Sequence, residues 1–166
     1  MSTAKKSPVP VLVMLLFVAA SWFAVRQFIR SRPPGELAFF YDVSARRVFT
    51  ASRNALPPIR GVDGPEEDAF RALVISTNGQ PADRRSWHVA YLEKFSPELK
   101  QKMAAAQGSG DALAMGRLES QRHRFLRRPA DPDTAWHSMD SAEGEAILNG
   151  WARPGPNGIT PVVCTP

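Results

Sequence analysis

The sequence predicts an α+β domain, with a small, mostly antiparallel sheet and two or three helices, behind one N-terminal transmembrane helix. Three observations lead to this prediction. The run Val9–Val25 carries no charge, residues 37–95 contain four β-rich runs, and capped helices follow from Ser96 onward. Strands followed by helices and further strands are typical of the α+β class.

The hydrophobic segment near the N-terminus is the first element. Val9–Val25 holds 17 uncharged residues, about 25 Å of helix, and extension through Ile29 gives about 31 Å, the thickness of a hydrocarbon core. Arg26 would then reach the lipid head groups along its aliphatic stem. We therefore expect a polar tail at 1–8, a transmembrane anchor in membrane lipid at 9–29 and a Pro-rich spacer at 30–36.

A cleavable signal peptide is the alternative for this segment. Lys5 and Lys6 make a charged start, and Val18–Ala20 resembles a small-residue cleavage site, so cleavage would release a secreted protein. The apolar run continues beyond that site and includes the bulky Trp22, which favours the uncleaved anchor. Basic residues flank both ends of the segment, so the positive-inside rule does not decide the orientation. The signal-like start favours an extracytoplasmic domain.

The soluble part opens with a predicted β-hairpin. The β-rich runs Leu37–Val43 and Val48–Ala51 flank Ser44–Arg47, which lacks the Asn-Gly or Asp-Gly pair of the tightest hairpins. Prolines and glycines across residues 54–68 predict an irregular loop. Ala69–Thr77 is the third predicted strand.

The segment Trp87–Phe95 is the fourth predicted strand. Alternation with a period of two places its residues on two faces. These faces are Trp87, Val89, Tyr91, Glu93 and Phe95 on one side and His88, Ala90, Leu92 and Lys94 on the other. We expect the mostly apolar Trp87 side to face the core, where Glu93 would need an arginine partner or a place at the rim.

Helices are predicted after the fourth strand. Ser96 as N-cap and Pro97 at the first helical position predict a helix that Gly108 stops. Residues 111–120 predict a second, short helix, and residues 121–128 either continue it or form a strand.

The C-terminal third is predicted to close the globular domain at residue 152. A turn at 129–132 and a short strand at 135–139 precede a capping-box pattern at 140–143, which opens a last helix. The tail 153–166 holds four prolines and two glycines, so we expect it to be irregular. Cys164, the only cysteine, would then be a spare residue on a loose tail and part of no internal disulfide.

The distribution of charge argues against nucleic acid as a partner. The net charge is +5, but residues 1–36 hold five basic residues against one acid, which leaves 16 basic and 15 acidic residues in 37–166. The domain is therefore nearly neutral. The basic residues flank the hydrophobic segment, where lipid head groups would be their partners.

No local motif predicts catalysis, a metal or a nucleotide. The sequence lacks G-x-S-x-G, G-x-x-x-x-G-K-[ST] and G-x-G-x-x-G, and neither a histidine nor a cysteine lies three or four positions from His88, His123 or His137. We therefore expect no cofactor and favour a non-enzymatic domain. The alternative is an enzyme whose site residues converge from distant positions, such as His88, His137 and the acids Glu66–Asp68.

Five arginines lie within the twelve residues 117–128, and the segment that follows contains several acids but no Lys or Arg. They are Arg117, Arg122, Arg124, Arg127 and Arg128. One interpretation is a hairpin whose charged faces neutralise each other or face water. The other is a basic strip that contacts anionic lipid or an acidic partner.

Three stretches resemble parts of small, uncharacterised single-pass envelope proteins of planctomycete-type bacteria. They are FFYDVSARRVFTA, LPPI and RRPADPDTAWHSMDSAEGEAIL, within residues 37–60 and 121–148. The resemblance implies an anchored globular domain and supplies no activity. Together with the predicted anchor, it leads us to expect a membrane-anchored binding or scaffolding domain of a cell-envelope assembly, with a protein partner in the envelope.

Overall fold

The structure, a computed structural model, describes residues 37–119 and 124–166. The predicted tail at 1–8, anchor at 9–29 and spacer at 30–36 lie outside the described residues. Within the described ranges, no helix is long and apolar enough to cross a membrane.

The predicted hairpin is confirmed as strands β1, Leu37–Asp42, and β2, Arg47–Ser52. Phe40 lies opposite Phe49, with the two ring centroids 6.0 Å apart. The Asp42 carboxylate accepts the backbone N–H of Ala45 at 2.8 Å and so holds the turn that joins the strands.

The remaining strands extend this hairpin into one antiparallel sheet, which confirms the predicted α+β class. They are β3, Ala69–Ser76; β4, Trp87–Phe95; β5, Arg124–Arg127; β6, His137–Ser138; and β7, Val162–Val163. The order across the sheet is β2-β1-β3-β4-β5-β6, and β7 pairs with the end of β3.

Three α-helices accompany the sheet: α1, Pro97–Ser109; α2, Ala112–Glu119; and α3, Ala142–Gly150. The Ser96 hydroxyl accepts the N–H of Leu99 at 3.1 Å and caps α1 as predicted. The predicted stop at Gly108 is wrong, because the helix continues through it. Gly110, with φ 69°, supplies the left-handed residue that ends the helix.

The last helix, α3, begins at the predicted cap. The Ser141 hydroxyl accepts the N–H of Gly144 at 3.0 Å. Gly144 also lies so close to the Ser138 carbonyl that a Cβ atom would collide with it. The absence of a side chain therefore lets α3 approach β6.

A β-bulge in β4 overturns part of the predicted face assignment. Val74 pairs with Val89 but Leu73 pairs with Tyr91, so Ala90 is an extra residue in the ladder. Beyond Ala90 the side chains change sides, and Leu92, predicted opposite the core face, is fully buried.

The two faces of the sheet are packed by different parts of the chain. One, which we call the tail face, carries an apolar cluster that includes a residue of the C-terminal tail: Phe39, Ala72, Val74, Leu92 and Cys164. The other, which we call the helix face, carries Phe95, against which Leu99 and Met103 of α1 pack.

The C-terminal tail is part of this core. The prediction that Cys164 sits on a loose tail is wrong, because the residue is 4% exposed and its N–H donates to the Val74 carbonyl at 2.9 Å. The short β7 strand next to it brings the chain end onto β3. Residues 37–166 together form one compact unit.

Candidate functional site

The predicted basic strip does not form one exposed surface. Arg127 is 2% exposed and lies on the tail face, opposite Leu92. Arg124 pairs with Phe95 on the helix face, where its guanidinium lies 3.3 Å from the Glu93 carboxylate. Because successive residues of β5 point to opposite faces, Arg124 and Arg127, three positions apart, lie on opposite sides of the sheet and do not form one contact surface.

Two of the arginines pair with acids that follow them in the sequence, as the first interpretation of the charge pattern predicts. Arg127 forms an ion pair with Asp133 at 2.7 Å, and Arg128 lies 3.7 Å from Asp131. Arg117 is exposed on α2, and Arg122 lies outside the described residues. A role of Arg117 and Arg128 in contacting a partner stays a prediction.

His88 lies far from both His137 and the acids named for a convergent enzyme site. His137 pairs with Leu126, which pairs with Glu93, five residues along β4 from His88. At about 3.3 Å per residue, this alone places the two histidines roughly 17 Å apart along the strand direction. In the described part of the chain, no group of three His, Cys, Asp or Glu residues is placed to hold a metal ion.

The acids before β3 have structural partners. Glu67 forms an ion pair with Lys100 at 2.7 Å, and Asp68 accepts the N–H of Ser44 at 3.3 Å. Asp68 directly precedes β3, whereas His88 pairs with Ile75 seven residues further along that strand. These acids are therefore far from the first histidine as well.

Asp42 is a fully buried carboxylate that organises the loops at one end of the hairpin. It accepts the Ser44 hydroxyl at 2.8 Å and the N–H of Val62 at 2.6 Å, in addition to the bond in the turn. These hydrogen bonds, led by the one from Ala45, outweigh desolvation and hold the pKa of Asp42 below its usual value. These hydrogen bonds satisfy the buried Asp42 carboxylate, so its burial does not indicate a bound ligand.

A cavity of about 430 Å³ lies beside the end of β4 and the start of α1. Its charged lining comes from Lys94, Lys100 and Glu67. The rest of the lining is apolar: Pro58, Phe95, Pro97, Phe125 and Trp136. An apolar pocket with a few converging polar groups is the usual form of a small-molecule site.

Lys94 is the unpaired charge of this cavity. Its ammonium lies 4.4 Å from the ring centroid of Trp136, and no carboxylate pairs with it among the described residues. Burial and, to a smaller extent, the neighbouring Arg127 lower the pKa of Lys94. Lys100, in contrast, is neutralised by Glu67 and also donates to the Pro58 carbonyl at 2.7 Å.

The second candidate site is the free edge of the sheet. Among the described residues, β2 pairs only with β1, so its outer side presents unpaired backbone groups. A groove of about 750 Å³ lies next to this edge, between β2 and the end of the chain. Its lining includes Phe39, Val48, Thr50, Trp87 and Pro166.

Neither site was found by reading the sequence. Lys94 was assigned to the face opposite the core, and nothing near it in the sequence indicated that Trp136, forty-two residues later, would lie over its ammonium. The hairpin itself was predicted, but a hairpin sequence does not show which of its strands ends the sheet. Long-range pairing decides both sites, and a single sequence carries little signal for such pairing.

Comparison of the chain with protein-family models, with curated proteins and with solved structures returned no match. Functional inference therefore rests on the geometry of the domain and on the sequence.

Proposed function

We propose that the chain is a membrane-anchored binding domain of a cell-envelope assembly and that it takes an extended segment of a protein partner along the outer edge of β2. Residues 9–29 hold the chain to the membrane, and the domain lies on the extracytoplasmic side. The observation that supports docking is the unpaired edge of β2 next to a groove lined partly by apolar side chains.

The edge of β2 has few of the features by which proteins block unwanted strand pairing. Its sequence, RVFTAS, contains no Pro and no Lys, and its only charge is Arg47 at one end. Open edges are commonly protected by lysines, prolines, bulges or a covering element. An unprotected edge of six residues is long enough to pair with an added strand.

The groove supplies a second contact for such a partner. In strand addition, backbone hydrogen bonds give affinity and pockets for alternate side chains give specificity. Thr50 lies opposite Phe39 on the tail face, and both line the groove together with Trp87. An apolar side chain of the added strand would pack there.

The anchor rests on the sequence. Val9–Val25 is uncharged, and the compact unit begins at Leu37, directly after the Pro-rich spacer. An anchored chain stays near partners in or on the same membrane, which raises its effective concentration towards them. This favours an assembly role over binding to a freely diffusing protein.

Site-specific photocross-linking in native membranes tests the docking edge. A photoreactive side chain at position 50 should capture one protein, identified by mass spectrometry, whereas the same group at Gln101, exposed on α1, should not capture that protein. Thr50→Lys should abolish the association and Gln101→Lys should leave it intact. Equal capture from both positions would refute the edge as the docking surface.

Extraction and N-terminal sequencing test the anchor separately. The full-length chain should stay with membranes after carbonate washing, and its N-terminus should be Met1 or Ser2. A mature N-terminus near Ser21 would instead establish cleavage and secretion.

A further inference from the structure

The cavity beside Lys94 is separate from the β2 edge and has the chemistry of a small-molecule site. Its volume of about 430 Å³ lies within the range of ligand pockets. Its apolar walls come from five residues of four different parts of the chain. Such walls select a ligand with a flat or compact apolar body.

The charge that the cavity leaves uncompensated is a single positive one. Lys100 and Glu67 neutralise each other at 2.7 Å, and Arg127, behind Trp136, is paired with Asp133. Lys94 has only the face of the Trp136 ring as a partner. A cation–π contact is a weaker partner for an ammonium than a carboxylate would be.

Partial burial disfavours the charged form of this unpaired ammonium, and a bound anion would offset that effect. Desolvation and Arg127 both disfavour the charged form of Lys94, which lowers its pKa in the free protein. A carboxylate beside the ammonium would favour its charged form, and their attraction would be stronger in these partly dry surroundings than in water. One charge on the ligand suffices, because the other cations already have acidic partners.

We propose that this cavity binds a monoanionic carboxylate carried on a flat apolar body. Lys94 pairs with the carboxylate, and Trp136, Phe125 and Pro97 pack against the apolar body. Lys100 donates both to the Pro58 carbonyl and to Glu67, so the acid of the cavity already has a cationic partner.

The test uses the full-length chain in lipid nanodiscs and three probes that share one ring system. 2-Naphthoate carries a carboxylate, 2-naphthamide is its neutral counterpart and 2-naphthyl phosphate carries a second negative charge. Isothermal titration calorimetry, corrected for titration into empty nanodiscs, gives each Kd. We expect 2-naphthoate to bind at least about tenfold more tightly than 2-naphthamide and more tightly than 2-naphthyl phosphate.

Two lysine variants locate the site. Lys94→Met should weaken 2-naphthoate binding at least about tenfold and leave 2-naphthamide nearly unchanged. Lys102→Met removes the same charge from an exposed position of α1 and should change neither.

Three results would overturn the proposal: equal affinity for the acid and the amide, tighter binding of the phosphate, or unchanged 2-naphthoate binding in Lys94→Met. If the circular dichroism spectrum shows that Lys94→Met does not fold, the proposal is judged by the order of the three affinities measured on the unaltered chain. Photocross-linking from position 50 does not involve this cavity, so failure here leaves the β2 proposal standing.

Discussion

On the tail face of the sheet, β3 and β4 contribute Val74 and Leu92 to an apolar cluster, whereas on the helix face the same strands contribute Arg71 and Glu93. Cys164, near the end of the chain, packs into the tail-face cluster. On the helix face, the guanidinium groups of Arg71 and Arg124 lie 5.6 and 5.5 Å from the Phe95 ring centroid, and Glu93 interacts electrostatically with both. One face thus depends on close apolar packing and the other on paired charges around an aromatic ring.

The bulge at Ala90 allows both arrangements in the same pair of strands. Without it, Tyr91, Glu93 and Phe95 would stay on the side of Trp87, and a carboxylate would lie within the apolar cluster. With it, Leu92 enters that cluster and Glu93 meets two arginines.

Leu92→Ala should cost about 3 kcal/mol of unfolding free energy, because the side chain is fully buried in the tail-face cluster. Tyr91→Ala, half-buried on the helix face, should cost clearly less. Thermal melts of the full-length variants in detergent, followed by circular dichroism, give both values. A larger loss for Tyr91→Ala would contradict the bulge, since uninterrupted alternation would place Tyr91 in the cluster.

Asp42→Asn should cost about 2 kcal/mol at pH 7, because the new amide group would oppose one of the N–H donors that the carboxylate now accepts. The pKa of Asp42 is lowered in the folded state, so its stabilising effect is present above the unfolded pKa of about 3.9 and lost as pH falls towards the folded pKa. Urea titrations from pH 7 to pH 3 measure the difference between Asp42→Asn and the unaltered chain. A gap that stays constant to pH 3 would contradict this role.

Glu93→Gln should cost about 1.5 kcal/mol, because Arg71 and Arg124 would then face each other without the intervening negative charge. Glu67→Gln is the matched control, since its ion pair with Lys100 is more exposed and should be worth well under 1 kcal/mol. Both are measured by the same melts. Equal losses of unfolding free energy in the two variants would mean that the helix-face charges stabilise the fold no more than a surface ion pair does.

Cys164 should react with a thiol reagent at least about tenfold more slowly in the folded chain than in urea. Burial raises the pKa of the thiol, so less thiolate is present near pH 8, and the surrounding cluster restricts access. The chain has a single cysteine, so the reaction rate with Ellman's reagent reports this site alone. Reaction at the same rate in both states would show that the tail does not seal the tail face.

Much of this fold was predictable from local patterns. The bounds of β4 agree with the predicted Trp87–Phe95, and the caps Ser96 and Ser141 begin α1 and α3 as expected. The need of Glu93 for an arginine is also confirmed, by Arg124. Each of these depends on residues close together in the sequence, or on the cost of burying one charge.

The features that the sequence did not predict share a physical cause: each depends on contacts with residues distant in the sequence. No Gly or Pro marks Ala90 as a bulge, because the extra residue is defined by what β3 presents opposite it. The strand β7 is only two residues long and forms through pairing with β3, so its own sequence carries little strand signal. The burial of Arg127 follows from Trp136 and Asp133 folding back over it.

If β2 offers an open edge to a partner, its outer amides are unprotected in the purified full-length chain, and amide hydrogen exchange measures this protection residue by residue. β3 pairs with β4 on one side and with β1 and β7 at its two ends on the other, so its paired amides should be protected. The outward-pointing amides of β2 should exchange at least about tenfold faster than those of β3, and they should become protected when the cross-linked partner is added. Protection of β2 equal to that of β3 in the purified chain alone would mean that the edge is already covered, and would contradict the account.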